Sequence, residues 1–194
     1  MVTVATSAVP AQGPEDNLVA RVEGRRLALA SRDRGHKSAL GQFFTPAATA
    51  RLMANIAEVH RSHVRVLDAG AGVGSLTAAW VDSLRRRTRR PEQVTITAYE
   101  IDEALHPVLR ATLTDCEAVC TDLGIECSWT LSGEDFIEAT VNALEGGLFR
   151  RTRPAFDLAV LNPPYKKFRT ESQPRALLRR LGIETSNLYT AFLA

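Results

Sequence analysis

The chain has 194 residues, enough for one domain with a sizeable core, and its 45% hydrophobic and 24% charged residues are those of a soluble globular protein. No apolar run approaches the roughly 20 residues that cross a bilayer, and residues 1–14 lack the basic lead and apolar core of a signal peptide, so a membrane role is excluded and a cytoplasmic location expected. A net charge of +2 excludes a uniformly basic chain, yet the cations cluster: Arg85, Arg86, Arg87, Arg89 and Arg90; Arg150, Arg151 and Arg153; Lys166, Lys167 and Arg169.

Residues up to about 16 are small and polar, and are expected to be disordered. From 18 to 31, apolar Leu18, Val22, Leu27 and Leu29 among arginines signal a helix that Gly24 interrupts. After a charged connector comes Gly41-Gln42-Phe43-Phe44-Thr45-Pro46, where Thr45 suits an N-cap and Pro46 a first helical position, predicting a helix to about residue 60. Residues 64–68 form the first strand, ending in Ala69-Gly70-Ala71-Gly72-Val73-Gly74, and a helix follows from 75 to about 87. The first arginine run ends that helix, as a solvated terminus that complements its dipole. Residues 94–100 alternate and are β-branched, a second strand. Asp102 caps a long helix to about 123. It carries Cys116 and Cys120, which with Cys127 lack zinc-ligand spacing and read as reduced, mostly buried thiols. A weaker strand at 126–131, a loop and helix at 132–144 closed by Gly146-Gly147, and a fourth strand at 156–161 complete the alternation. Beyond Asn162-Pro163-Pro164-Tyr165, residues 173–181 suggest a short basic helix, and Ser186 caps another that runs to the end of the chain.

This order predicts an α/β, doubly wound, mostly parallel sheet. Only four strands are accounted for, and the last helix has no stop signal, so the sheet is expected to be truncated after the fourth strand. The domain reading is a disordered start and N-terminal helix at 1–37, followed by one incomplete domain at 38–194.

Two prolines cannot continue a ladder. After the fourth strand they leave an amide side chain, two backbone carbonyls and an aromatic face at a strand's carboxyl end, where open α/β sheets bind ligands. That group suits gripping a planar ring by its face while accepting hydrogen bonds from an exocyclic amine. Gly70-x-Gly72-x-Gly74 after Asp68 builds a tight turn that a ligand can approach, but it lacks the G-x-G-x-x-G spacing of pyrophosphate binders, which disfavours a nicotinamide or flavin reading. Glu100, about 30 residues on, closes the second strand where an acid accepts ribose hydroxyls. Asp135 follows the third strand, placed to accept from an adenine amine with Phe136 against the ring; each acid also suits a helix cap or turn. Three such sites in register point to an adenosine ligand without phosphates, S-adenosylmethionine. Lys166, Lys167 and Arg169 sit beside the Pro-Pro turn as candidates for DNA phosphate contact.

From residue 38 onward the chain resembles an N6-adenine-specific DNA methyltransferase of gamma-type motif order, in which the cofactor half precedes the catalytic motif and a target-recognition domain comes last. Gly41 to Pro46 is similar to the segment that closes over the cofactor's methionine end, Leu67 to Gly74 to the glycine motif, and Tyr99-Glu100-Ile101-Asp102 to the ribose motif. Asp135-Phe136 matches the adenine contact, Asn162-Pro163-Pro164-Tyr165 the catalytic motif, and Asn187-Leu188-Tyr189 the start of the motif lining the target pocket. The resemblance implies a Rossmann-like S-adenosylmethionine-dependent methyltransferase fold without a metal. Cofactor contacts would come from Phe44, Thr45, Pro46, Asp68, Gly70, Gly72, Gly74, Glu100, Ile101, Asp135 and Phe136. Asn162, Pro163, Pro164 and Tyr165 would act on an adenine flipped out of double-stranded DNA. A restriction subunit, or a C-terminal recognition domain of the same polypeptide, is the implied partner. The four-residue motif is shared with glutamine and guanine-amine methyltransferases. A protein glutamine or RNA amine methyltransferase, or a non-catalytic DNA-binding remnant, is therefore the alternative, and the upstream Phe-Thr-Pro segment favours adenine in DNA.

Overall fold

The computed structural model describes residues 17–32, 45–145, 155–163, 173–185 and 187–193. Phe44, Pro164, Tyr165, Lys166, Lys167, Arg169, Ser186 and the Gly146-Gly147 stop lie outside the described residues. Four strands, β1 (His63–Ala69), β2 (Gln93–Tyr99), β3 (Glu126–Ser132) and β4 (Leu158–Val160), form one parallel sheet in the order β3-β2-β1-β4. The chain steps outward from β1 to β3, then returns to the other side of β1. The reversal falls between β1 and β4, which is where such sheets open a crevice at their carboxyl ends.

Alternation along the strands sorts the two faces. Val64 and Val66 of β1 and Val94 and Ile96 of β2 are fully buried, and their β-branched side chains fit the pleated surface. The opposite face carries Arg65, Thr95, Thr97, Ser128 and Thr130, half-buried or exposed. Helices α1 (Leu18–Arg32), α2 (Ala47–Ile56), α3 (Ser75–Ser83), α4 (His106–Asp122), α5 (Phe136–Glu145), α6 (Gln173–Arg180) and α7 (Leu188–Leu193) complete the fold. Every residue of α3 is buried, because it packs against α1, α2 and α4 at once. Trp80, Leu84, Leu18, Val22, Leu109 and Leu113 fill this main core. A second cluster, Ile137, Val141, Leu178 and Ala191, joins α5, α6 and α7, and an Arg180–Glu145 ion pair also links α5 to α6.

Several boundaries differ from expectation for identifiable reasons. Helix α1 is unbroken at Gly24, although glycine costs about 1 kcal/mol in a helix. Burial of Leu18, Val19 and Val22, with Arg25 and Arg21 both paired to Asp115 of α4 at 2.7 and 3.5 Å, holds it. Helix α2 stops at Ile56 rather than near residue 60, and its last carbonyls are claimed by Arg87, whose Nη2 donates to Ala54 O at 3.0 Å and Ala57 O at 2.6 Å. Arg90 likewise donates to the carbonyls of Leu84 and Arg85. The arginine run therefore caps helix ends as well as meeting solvent, and α3 gives way to a 3₁₀ turn, Leu84–Arg86. β4 is three residues long. Ahead of it, Asp157 accepts from Arg65 Nε at 2.9 Å and Nη2 at 3.2 Å, and pairs with Arg61 Nε at 3.3 Å. Arg65 holds the Asp157 carboxyl down to about 2. Asn187 caps α7: its Oδ1 accepts from Thr190 N at 2.8 Å and from the Thr190 hydroxyl at 2.9 Å.

Cys116 and Cys120 on α4 are buried and Cys127 on β3 is half-buried, all as free thiols. Among the described residues no group of three or more His, Cys, Asp or Glu is arranged to hold a metal, and no helix is long and apolar enough to cross a membrane.

Candidate active site

Sheet register sets the floor of the site. Ala69 pairs with Tyr99 and Tyr99 with Ser132, so β1, β2 and β3 end at one level. Val160 pairs with Asp68, so two residues on, Asn162 leaves β4 alongside Gly70. The glycine turn, Glu100, the 133–136 loop and Asn162 are thereby gathered at the carboxyl edge across the switch point.

The glycine turn is closed by the neighbouring strand. Gly70 N and Ala71 N both donate to Tyr99 O at 2.9 Å, and Gly74 N donates to Ala71 O at 2.8 Å. Gly70, Gly72 and Gly74 all adopt left-handed φ, +72°, +58° and +80°. At Gly74 the requirement is double, since a Cβ there would lie 2.8 Å from Thr112 Cγ2 and 3.0 Å from Leu109 Cδ1 of α4. Gly70 is exposed, presenting bare backbone to the crevice.

Glu100 is 4% exposed, and its carboxylate is already engaged. Oε2 accepts from Gly72 N at 2.7 Å and Oε1 from Asp102 N at 2.9 Å, so the acid stitches the β2 turn to the glycine turn. Burial raises its pKa against the pull of those two N–H groups. Asp68, 2% exposed, is pushed up to about 7, chiefly by burial and further by the nearby Glu100 charge, while the Thr77 hydroxyl donating to Oδ2 at 2.5 Å opposes the shift. Burial favours the protonated form of both carboxyls, so the floor offers hydrogen-bonding oxygens suited to a hydroxyl-bearing ligand more than a fixed double negative charge. His106 Nε2 lies 2.7 Å from Glu100 O, and its ring would meet a Cβ on Gly133 at 3.0 Å, which packs the β2 and β3 turns together.

Asp135 caps α5: its Oδ1 accepts from Ile137 N at 2.9 Å and Glu138 N at 3.0 Å. Phe136 stands edge-on to Tyr99 at 5.3 Å and tilted against Phe192 at 5.2 Å, an aromatic wall over the sheet end. Ile101 is 55% exposed at the rim.

Thr45 behaves differently from expectation. The first turn of α2 receives no side-chain cap from it; Pro46 is the residue bordering the helix, one place earlier than expected, and is exposed. Ala47 N instead donates to Glu23 Oε2 of α1 at 3.3 Å. The buried Thr45 Oγ1 accepts from Asn162 Nδ2 at 3.1 Å, across 117 residues of sequence. Of the residues singled out from sequence, Thr45, Asp68, the three glycines, Glu100, Asp135, Phe136, Asn162 and the buried Pro163 converge on this edge. Glu23, Thr77 and His106 were not legible as supports, because each acts on a partner through contacts that no local spacing announces.

A solved structure from Listeria monocytogenes assigned to the class I S-adenosylmethionine-dependent methyltransferases superposes on 91% of this chain and 49% of its own, with TM-score 0.58 and 15% identity, so the two share a fold. The Type II methyltransferase M.PstI of Providencia stuartii is 38% identical over 170 residues, 88% of this chain and 32% of its own length. M.BsuBI of Bacillus subtilis, also a Type II methyltransferase, is 43% identical over 162 residues, 82% of this chain and 31% of its own. The chain thus spans about a third of the length of these curated relatives. Residues 28–187 match the profile described as N-6 DNA Methylase, and on that extent of match the chain belongs to the N-6 DNA methylase family.

Proposed function

We propose that this chain carries the methyl-transfer centre of a Type II enzyme that modifies the N6 amine of adenine in double-stranded DNA, with S-adenosylmethionine as donor. The observation that carries the reading is the placement of Asn162 at the switch point, level with Gly70 and held by Thr45. Membership of the N-6 DNA methylase family supports the DNA substrate and the relatives named as Type II methyltransferases support the class of enzyme; a restriction subunit or a recognition domain elsewhere in the same polypeptide is the proposed partner.

The residues present fit an adenosine cofactor. Bare backbone at Gly70 allows close approach, Glu100 sits where ribose hydroxyls would lie, and Phe136 supplies a ring face beside Asp135. Ile101 at the rim, with Phe44 and Pro46 of the segment before α2, completes the contacts. When bound there, the cofactor supplies an electrophilic sulfonium methyl.

The chemistry left to the chain is positioning. The N6 lone pair of adenine is delocalised into the ring, which makes it a poor nucleophile. With its Nδ2 held by Thr45, the Asn162 amide offers its oxygen to one amine hydrogen, and the Pro163 carbonyl takes the other. Two such hydrogen bonds draw the nitrogen toward tetrahedral geometry and aim its lone pair for in-line attack. Preorganised acceptors of this kind supply several kcal/mol of barrier lowering. A paired base cannot reach this edge of the sheet, so it must leave the duplex, with Tyr165 stacking on it and Lys166, Lys167 and Arg169 meeting the backbone phosphates. Stacking of that kind contributes about 1–3 kcal/mol.

Nucleoside mass spectrometry of DNA from cells expressing the full natural polypeptide tests the reading. N6-methyladenine is expected with wild type and absent with Asn162→Ala, whose cofactor affinity stays close to wild type. Unmodified DNA with cofactor still bound would transfer the assignment to a protein or RNA amine.

A further inference from the structure

The hydroxyl of Thr45 stands beside a helix N-terminus that lacks a cap of its own, yet it does not serve that helix. A threonine cap contributes about 1 kcal/mol to a helix, so its diversion needs an account. Two observations give one. The first-turn donor of α2, Ala47 N, is satisfied from another helix by Glu23 Oε2 at 3.3 Å. Glu23 is in turn fixed by Arg26, whose Nε and Nη2 donate to its two oxygens at 2.8 and 2.6 Å. Relieved of capping, Thr45 Oγ1 accepts from Asn162 Nδ2 at 3.1 Å, with Thr45 itself only 7% exposed.

An amide has two ends of opposite character, and a half-turn about its last bond exchanges them. If the NH₂ end of Asn162 faced an incoming amine, two donors would meet and the nitrogen would be pushed away. A threonine hydroxyl can donate as well as accept, but here Oγ1 accepts from Nδ2, which holds the amide with its oxygen end turned the other way. We infer that Thr45 is a positioning residue for the proposed methyl transfer: by accepting from Nδ2 it fixes the Asn162 amide with its oxygen toward the amine, and the Arg26–Glu23–Ala47 chain anchors the turn from which it does so. This role rests on the reading of Asn162 given above. It is distinct from the one implied by family resemblance, in which the Phe-Thr-Pro segment contacts the cofactor.

The two roles separate in the kinetics of the full natural polypeptide acting on duplex DNA. Thr45→Val keeps the shape and removes the acceptor. The expected result is a kcat lower by about 10- to 100-fold at saturating cofactor, with the cofactor Kd changed by less than about 3-fold. Thr45→Ser, which restores the hydroxyl, is expected to recover most of the lost kcat. A Val variant with wild-type kcat and a weakened cofactor Kd would overturn the inference, as would equal kcat values for Val and Ser. If Thr45→Val melts early, Thr45→Ala against Thr45→Ser decides at a temperature where both are folded: loss with Ala alone supports the role, and equal rates overturn it. Asn162→Ala in the same assay keeps the two readings apart. If it still transfers methyl, the assignment of Asn162 fails. If it is inactive while Thr45→Val runs at full rate, only the role of Thr45 fails.

Discussion

Replacing Gly74 by alanine isolates how tightly the glycine turn is built. Two costs add. The residue sits at φ +80°, in the left-handed region, where a Cβ costs about 1–2 kcal/mol. The added carbon would also stand 2.8 Å from Thr112 Cγ2 and 3.0 Å from Leu109 Cδ1, and both residues are fully buried on α4. Neither can swing away without moving the helix, so overpacking of about 1–3 kcal/mol follows. The sum, roughly 2–5 kcal/mol, is a large share of a stability on the order of 5–15 kcal/mol. Gly124 is the matched control. Its φ is +71°, but nothing lies within 4 Å of its would-be Cβ, so Gly124→Ala should cost only the backbone part, about 1–2 kcal/mol. Urea titrations of wild type and both variants, followed by intrinsic fluorescence, measure the difference. Equal shifts for Gly74→Ala and Gly124→Ala would refute the steric half of the reasoning, and no shift in either would refute the backbone half.

Two further outcomes follow from the buried carboxyls. The Asp68 carboxyl is raised from an ordinary value near 3.8 to about 7, so the native state holds a proton that the unfolded chain has released. The stability this protects is complete below about pH 4 and lost as pH rises through about 7, at roughly 1.4 kcal/mol per pH unit while the two states differ by that proton. Asp68→Asn cannot ionise and should gain on wild type between pH 5 and pH 8; parallel stability curves over that range would disprove it. Glu100→Gln offers one acceptor oxygen where two N–H groups, from Gly72 and Asp102, now bind. One buried donor then goes unmet, at about 1–3 kcal/mol. Calorimetric titration should show S-adenosylmethionine affinity lower by at least about 10-fold, and undiminished affinity would show that the acid is not part of the cofactor site.

The strands were the legible part of the chain. β1 and β2 announce themselves as runs rich in branched apolar residues, bounded by the glycine turn after β1 and by Glu100-Ile101-Asp102 after β2, and their limits moved by a single residue at each end. β4 was over-extended because Phe156 and Leu161 look apolar, whereas the lateral pull of Arg61 and Arg65 on Asp157 governs how the chain enters the sheet. Gly24 looked like a breaker because local propensity is all that a short window shows; ion pairs to Asp115, 90 or more residues away, outweigh it. The site was legible as motifs but not as couplings. Thr45 is a sound cap by its neighbours, and only the arrival of Glu23 from α1 and Asn162 from β4 reassigns its hydroxyl. Asp135 shows the reverse case: the capping role available to any aspartate before a helix is the one it fills, whatever else it contacts.

The division of the interior into two apolar clusters makes the crevice mechanically uneven. Its floor, the glycine turn and Glu100, is continuous with the large cluster around α3, so opening it means opening the whole domain. Its aromatic wall, Tyr99 of β2 apart, belongs to α5 and α7, seated among the described residues on a patch of four buried side chains. Cooperative units with so few buried contacts come apart at a fraction of the global unfolding free energy. Slow-exchanging amides should therefore end abruptly at the boundary between floor and wall. Under the proposed function, this unevenness lets a large planar base enter by yielding on one side while the other stays in register.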